Sequence, residues 1–350
     1  MAYTTIDKSS DYFNTKLTTG TGSSQAVTGV GFQPDWVWGK RRDSSGHNSL
    51  FDSVRGITKG LESNQTGAEF TSTDYYSSFD SDGFTIASGA GGAGNGSGQT
   101  AVQWCWLGAN GTASNSDGSI TSTVSANTTA GFSIVRYTGT GSNATIGHGL
   151  GAVPHMYIAR NITDTEQWTT YHVGMDTSSP EDYHMRLNTS DARVDEAAVW
   201  NDTAPTSSVF SVGDSGAPNG SNDNHIAYCF AEKKGYSKFG SYTGNGNADG
   251  TFVYTGFKPA FLMVKRTDAS GHYWHIYDNK REPFNPVGKV LYPNRSDAEY
   301  AGSNRPDLLS NGFKNRSGNT DINASGGNYI YMAFAENPFV TSTGIPTTAR

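Results

Sequence analysis

The chain of 350 residues is poor in several things at once. Its only cysteines, Cys105 and Cys229, are too few for a disulfide scaffold. Leucine occurs ten times and glutamate is scarce, which argues against an all-α fold and a regular βαβ array. No apolar run approaches 18 residues, so no transmembrane helix is expected. Met1 to Phe13 lacks a basic n-region and an apolar h-region, so no secretory signal is expected. The net charge of −7 comes without clustered Lys and Arg, which disfavours nucleic acid as a partner.

What is abundant is Gly (43), Ser (39), Thr (38) and Asn (26), about 42% of the chain. These are turn residues. Phe, Tyr and Trp make up 12%, too many for a disordered chain. Aromatic strands joined by many turns predict an all-β protein.

Three segments share one design. Gly31-Phe32-Gln33-Pro34-Asp35-Trp36-Val37-Trp38, Gly151-Ala152-Val153-Pro154-His155-Met156-Tyr157-Ile158 and Gly256-Phe257-Lys258-Pro259-Ala260-Phe261-Leu262-Met263 each read as a turn and a proline-led strand. Basic residues follow: Lys40-Arg41-Arg42, Arg160 and Lys265-Arg266. Upstream of each lies a Gly-rich turn, at Gly20-Thr21-Gly22, Gly139-Thr140-Gly141 and Gly244-Asn245-Gly246. Each unit closes on a similar strand, Val102 to Trp106, Ile226 to Phe230 and Ile330 to Phe334. The separations Pro34 to Cys105, Pro154 to Cys229 and Pro259 to Ala333 are 71, 75 and 74 residues.

This predicts three tandem β-sandwich domains of jelly-roll or lectin-like type, produced by internal triplication. The expected boundaries are 1–110 for a short arm plus repeat 1, 111–130 for a Ser/Thr/Asn-rich linker, 131–234 for repeat 2, 235–340 for repeat 3 and 341–350 for a tail. The closing strands are apolar on both faces, as in a covered central strand. Ile226, Tyr228 and Phe230 point one way, and Ala227, Cys229 and Ala231 the other. A neighbouring domain or subunit is expected over the small-residue face. Cys105 and Cys229 hold equivalent places in different units, so they read as buried free thiols.

Chemistry is sparse. Glu232 and Glu336 recur at the ends of closing strands, as structural features rather than catalysts. His272 and His275 flank Trp274 in a run that reads as an exposed loop entering a strand, and on a strand the pair would face opposite ways and suit no single metal. Asp80-Ser81-Asp82-Gly83 reads as an Asx-turn or as part of a calcium loop. Gly89 to Gly96 lacks the lysine of a phosphate loop and reads as a flexible hairpin. The sequons at Asn64, Asn127 and Asn161 follow from composition. Tyr75, Tyr76, Trp168, Tyr171, Tyr273 and Trp274 sit among polar residues and are candidate glycan-stacking rings, or else fill cores and domain joints. No catalytic residue, metal ligand or cofactor is assigned.

The run from Met1-Ala2-Tyr3-Thr4-Thr5 to Tyr12-Phe13-Asn14-Thr15 resembles the opening of a repeat-domain family. So do Gly31 to Trp38, Phe51-Asp52-Ser53-Val54-Arg55-Gly56, Ser78 to Phe84, Gly235 to Gly246 and Tyr329 to Phe339. That family comprises tail-fibre-like and virion structural proteins of marine and aquatic tailed phages, including cyanobacterial ones. The resemblance covers nearly the whole chain and carries no catalytic residues. It implies a virion protein assembled in the host cytoplasm, with other tail or capsid proteins as partners. Self-association as a trimer and contact with host-surface polysaccharide are expected; nucleic-acid binding and membrane insertion are not. Few residues precede the first unit and no heptads occur, which suits a compact fibre, a spike tip or a capsid decoration. The alternatives are a polysaccharide depolymerase and a free carbohydrate-binding protein.

Overall fold

The computed structural model describes residues 3–89, 93–302 and 305–347. The protein is all-β, with several antiparallel sheets and only single-turn helices among these residues. No helix is long and apolar enough to cross a membrane.

Twelve strands carry the architecture. They are β1 (Phe13–Thr19), β2 (Trp36–Arg41), β3 (Asn48–Asp52) and β4 (Thr100–Trp106) in the first third. The second third has β5 (Phe132–Thr138), β6 (Met156–Asn161), β7 (Thr169–His172) and β8 (Asn224–Phe230). The last has β9 (Ser237–Thr243), β10 (Phe257–Arg266), β11 (His275–Asp278) and β12 (Asn328–Pro338). Their spatial orders are β1-β4-β2-β3, β5-β8-β6-β7 and β9-β12-β10-β11, the same arrangement three times. The closing strand is central in each, between the first strand and the proline-led one. Register agrees too, pairing Trp36 with Trp106, Met156 with Phe230 and Phe261 with Phe334. Pro34 and Pro154 precede their strands, whereas Pro259 lies inside β10, at a register shift where its missing N–H breaks no ladder.

The two faces of the closing strands have opposite fates. Trp104 and Trp106, Tyr228 and Phe230, and Met332 and Phe334 all enter one buried cluster fed by all three sheets. The ring centroids of Trp106, Phe230 and Phe334 form a triangle with sides of 5.8, 6.2 and 6.5 Å. The small residues on the other face line three separate outer cores. Cys105 packs with Phe51 and Phe84, Cys229 with Tyr157 and Phe210, and Ala333 with Tyr277 and Phe313. Each outer core is roofed by a small sheet from the same third of the chain, for example Ala144–Gly147 paired with Val209–Val212. The expectation for the closing strands is therefore corrected. The bulky face, not the small one, meets the neighbouring units, because only large rings reach across to a shared centre. Burial pushes both thiols up, beyond any nucleophilic range.

The segment 111–130 is not a free linker. It forms Ala113–Asn115 and Ser122–Asn127, which extend the second sheet beyond β5. Ile120 and Val124 are buried in the second outer core, and Ile120 bridges Ile146 in parallel. The tail is likewise tied down: Ser342 donates its N–H and hydroxyl to Asp7 at 2.6 and 2.8 Å. Residues 90–92 of the glycine-rich run and 348–350 of the tail lie outside the described residues.

Each Gly-rich turn is locked by a buried asparagine. Asn95, Asn219 and Asn323 accept the N–H of Thr21, Thr140 and Asn245 at 3.2, 2.9 and 3.0 Å. At Gly20, Gly139 and Gly244 a Cβ would collide with the carbonyl oxygens of Gly96, Gly220 and Ala324, so only glycine closes the turn.

Because one core serves all three sheets, unfolding is expected to be a single calorimetric transition rather than three. Replacing Trp106 by Ala should cost about 3–5 kcal/mol and lower that whole transition. A variant that melts only the first third would contradict the shared core.

Candidate functional site

Most of the six rings singled out in the sequence are structural. Tyr76, Trp168, Tyr171 and Trp274 are buried. Tyr76 lies against Phe51 and Phe84 and donates its hydroxyl to Gln103 at 2.6 Å. Tyr171 stacks on Tyr157 at 4.6 Å, and burial pushes its hydroxyl above the usual range. None of these four offers a free face to a sugar. Tyr75 is half-buried against Phe51 and Phe70. Tyr273 is half-buried beneath the Arg295 guanidinium at 4.3 Å. The six therefore do not form one site.

Trp168 and Trp274 belong instead to the seams between units. Asn64, Asn188 and Asn294 occupy equivalent turns, where their side-chain oxygens accept the N–H of Asn48, Trp168 and Trp274 at 2.9, 3.0 and 3.2 Å. Each of those three residues then donates to the turn of a different unit. Trp168 Nε1 reaches Glu62 O (3.0 Å), Trp274 Nε1 reaches Arg186 O (3.1 Å) and Asn48 Nδ2 reaches Tyr292 O (3.1 Å). The basic residues after the proline-led strands follow the same circuit. Arg160 binds Thr66 O and Gly67 O, Lys265 binds Asp191 O at 2.9 Å, and Lys40 is 3.5 Å from Arg295 O. The second unit thus holds the first, the third holds the second, and the first holds the third.

Buried charge marks two of these joints. Asp52 pairs with Arg55 at 2.6 Å and accepts the Tyr228 hydroxyl at 2.8 Å. Asp278 pairs with Arg281 at 2.5 Å and accepts Trp104 Nε1 at 3.1 Å. At the third joint the corresponding residues are His172, Met175 and Met332. Met332 has no donor to offer, and no Asp–Arg pair is present there. His172 Nδ1 accepts the Gly174 N–H at 2.9 Å, so Nε2 carries the hydrogen and donates to Tyr331 O at 3.0 Å. The motif Phe51-Asp52-Ser53-Val54-Arg55 is visible in the sequence. Its role depends on a donor 176 residues away and was not.

The run His272 to His275 is a loop entering a strand, as its sequence suggests. β11 begins only at His275, so His272 lies in the preceding loop and turns back. Asp321 takes His272 Nδ1 at 2.7 Å and has His275 Nε2 at 3.8 Å. Among the described residues no group of three or more His, Cys, Asp or Glu could hold a metal ion. In the Asp80–Asp82 loop, Asp82 accepts the N–H of Gly29 and Gly31 at 2.9 and 2.7 Å, which holds its carboxyl below the usual range. Asp80 instead accepts the Thr85 hydroxyl at 2.8 Å.

A polar cleft of about 600 Å³ lies at the outer end of the third sheet. It is bounded by β10, the end of β12, the loop following β11 and the turn at 308–311. Lys258 and Glu336, on the adjacent strands β10 and β12, form an ion pair in its wall at 2.8 Å. Glu282 accepts the N–H of Gly288 and Lys289 at 2.6 and 2.8 Å. Asn285 ties the loop to Leu308 through both amide atoms, at 2.9 and 3.0 Å. Asn279, on the wall, has a buried Oδ1 with no hydrogen-bond partner. A second basin of about 300 Å³ shares Glu282 and Asn285 and adds Phe284 and Arg305. Phe284 is 81% exposed. None of the six rings proposed from sequence lines this cleft. The available signal was Pro283-Phe284-Asn285-Pro286, an aromatic held between prolines in a segment that cannot pair as a strand.

The seam lysines give a pH test. Burial pushes Lys265 down to about 7 and Lys40 to about 8, from an ordinary 10.5. Between those values and 10.5 the unfolded chain holds more protons than the folded one, so this contribution makes stability rise with pH. The thermal midpoint of Lys265→Met should therefore rise less between pH 7 and 9 than that of the parent. Equal slopes would refute a lysine whose proton affinity is lowered by burial in that seam. His172, His184 and His275 are pushed by burial to about 4 from an ordinary 6.5. They should cost stability progressively as pH falls from 6.5 to 4, and His172→Gln should reduce that loss in acid titrations followed by circular dichroism.

No curated protein and no solved structure matches the chain. A family model described as a domain of unknown function, DUF7483, matches residues 8–338, a span that takes in all three sheets and the cleft. The chain belongs to that DUF7483 family.

Proposed function

We propose that the protein is a non-enzymatic structural component of a bacteriophage virion, displayed on the particle surface as a tail fibre or spike, or as a head fibre or decoration. The observation that carries this reading is the closed circuit of seams around one aromatic core. A chain whose three parts are cross-held by buried hydrogen bonds has few loosely held segments, and it suits a passive rigid element better than a machine with moving parts. The resemblance of its motifs to tail-fibre-like virion proteins supports the same reading. In this proposal the three sheets, each with its small roof, are tandem β-sandwich units derived from one ancestral unit by triplication. Self-association into a trimer would use surfaces outside the shared core, which is already closed within one chain.

One observation favours an enzyme: Glu282 and Glu336 line the same cleft, as a glycosidase acid and base would. Both carboxylates already have partners, in two backbone N–H groups and in Lys258. The depolymerase reading is therefore the weaker one. Incubation with host polysaccharide should leave chain length unchanged.

The display reading is tested on purified particles. The protein should appear in their mass-spectrometric inventory, and antibody should bind it on intact virions. Particles that lack it would overturn the proposal.

A further inference from the structure

We propose that the cleft of the third unit, with its adjoining basin, is a binding site for a neutral oligosaccharide. The inference rests on the display reading only for the source of the sugar, a host-surface polysaccharide; the chemistry is that of the cleft itself. Its volume of about 600 Å³, extended by about 300 Å³, has room for several sugar rings in a row.

Charge narrows the ligand class. The ionised groups on the walls are Lys258, Glu282 and Glu336 in the cleft and Arg305 in the basin, two of each sign. All four have a protein partner: Lys258 and Glu336 hold each other, Glu282 caps two amides, and Arg305 Nε donates to Gly302 O at 2.9 Å. Such a surface favours neither a phosphate nor a metal ion. It offers donors and acceptors together through Asn279, Ser310, Asn311 and Asn337. A sugar hydroxyl both donates and accepts, so it can use a wall of this kind. Asn279 Oδ1 stands unpartnered on that wall, an acceptor that a small rotation would offer to a ligand hydroxyl.

The apolar part of the walls fits the same ligand. Pro283, Val287, Leu308 and Leu309 lie between the polar groups of the cleft. Phe284 is the most exposed large hydrophobic residue described and lies on the basin shared with Glu282 and Asn285. Tyr300, 54% exposed, stands beside Ala301 of the same basin. An aromatic face in water beside a hydrogen-bonding groove suits the C–H face of a pyranose. The corresponding positions elsewhere differ. Where Lys258 and Glu336 stand in the third unit, the first has Gln33 and Gly108. There the following chain fills the space, with Gly108 and Asn110 donating to Asp35. In the second, Glu232 is engaged by Lys238 of the next unit. In the third unit Lys258 and Glu336 pair with each other at this position, and the cleft lies beside them, lined also by Thr347 of the following chain.

The test uses the full chain and neutral hexose and N-acetylhexosamine tetrasaccharides, with sulfated and uronic-acid counterparts as a second arm. Calorimetry should give saturable binding to at least one neutral tetrasaccharide, with weaker binding of its acidic counterparts. Phe284→Ala should weaken it about tenfold, the loss expected for one stacking ring. Lys258→Met should weaken it as well. Tyr254→Ala, an exposed ring outside the cleft, should leave it unchanged. Thermal midpoints of all three variants should match the parent, which separates lost contact from lost fold. Absence of saturable binding at millimolar sugar, preference for the acidic set, or binding indifferent to Phe284→Ala would each overturn the site. Particle labelling reads the display proposal independently, so either can fail while the other stands.

Discussion

The structure depends on three rings meeting where three sheets converge. Trp106, Phe230 and Phe334 occupy the same place on their closing strands and touch one another in every pairing. Phe13, Trp36 and Phe261 pack around them, and Trp36 stacks on Tyr228 at 4.3 Å. Each sheet alone would leave this face in water, and a ring of that size contributes about 1.5–3 kcal/mol only when buried. No unit can therefore bury its bulky face without the other two. The outer cores are local and the centre is shared.

The seams follow from that constraint. Sheets pressed together at their bulky faces also bring turn carbonyls and long basic side chains out of water. Unpaired, those groups would cost more than the packing returns. The circuit of Asn, Trp, Lys and Arg contacts satisfies them one joint at a time. It also explains why each proline-led strand carries a basic residue near its end. Arg160, Lys265 and Lys40 lie at the strand end that faces a neighbour's open carbonyls.

Much of this was legible in the sequence. The all-β class, the recurring strands and the buried thiols were open to reading because they depend on local spacing and alternation. What escaped depends on neighbours distant in the chain. Both faces of Ile226 to Phe230 are apolar, so alternation cannot say which face meets another unit. The 111–130 stretch has a linker's composition, yet it forms strands because Ile120 and Val124 find a core to enter. Trp168 and Trp274 sit among polar residues in the chain but among carbonyls and rings in space. The cleft was invisible because Lys258 and Glu336 are 78 residues apart and Glu282 is held by its own loop.

The unequal joints carry an evolutionary consequence. At two of them an Asp–Arg pair waits for a donor from a neighbouring closing strand; at the third, His172 and Met175 face Met332. Restoring an aspartate at position 172 alone would bury a charge without its guanidinium. Giving Met332 a donor alone would bury a polar hydrogen without an acceptor. Neither step is tolerable singly, so the three parts of this chain cannot drift apart at independent rates. Substitutions at these positions should arrive in matched sets that cross from one third of the chain to the next, leaving a signature of correlated change around the ring.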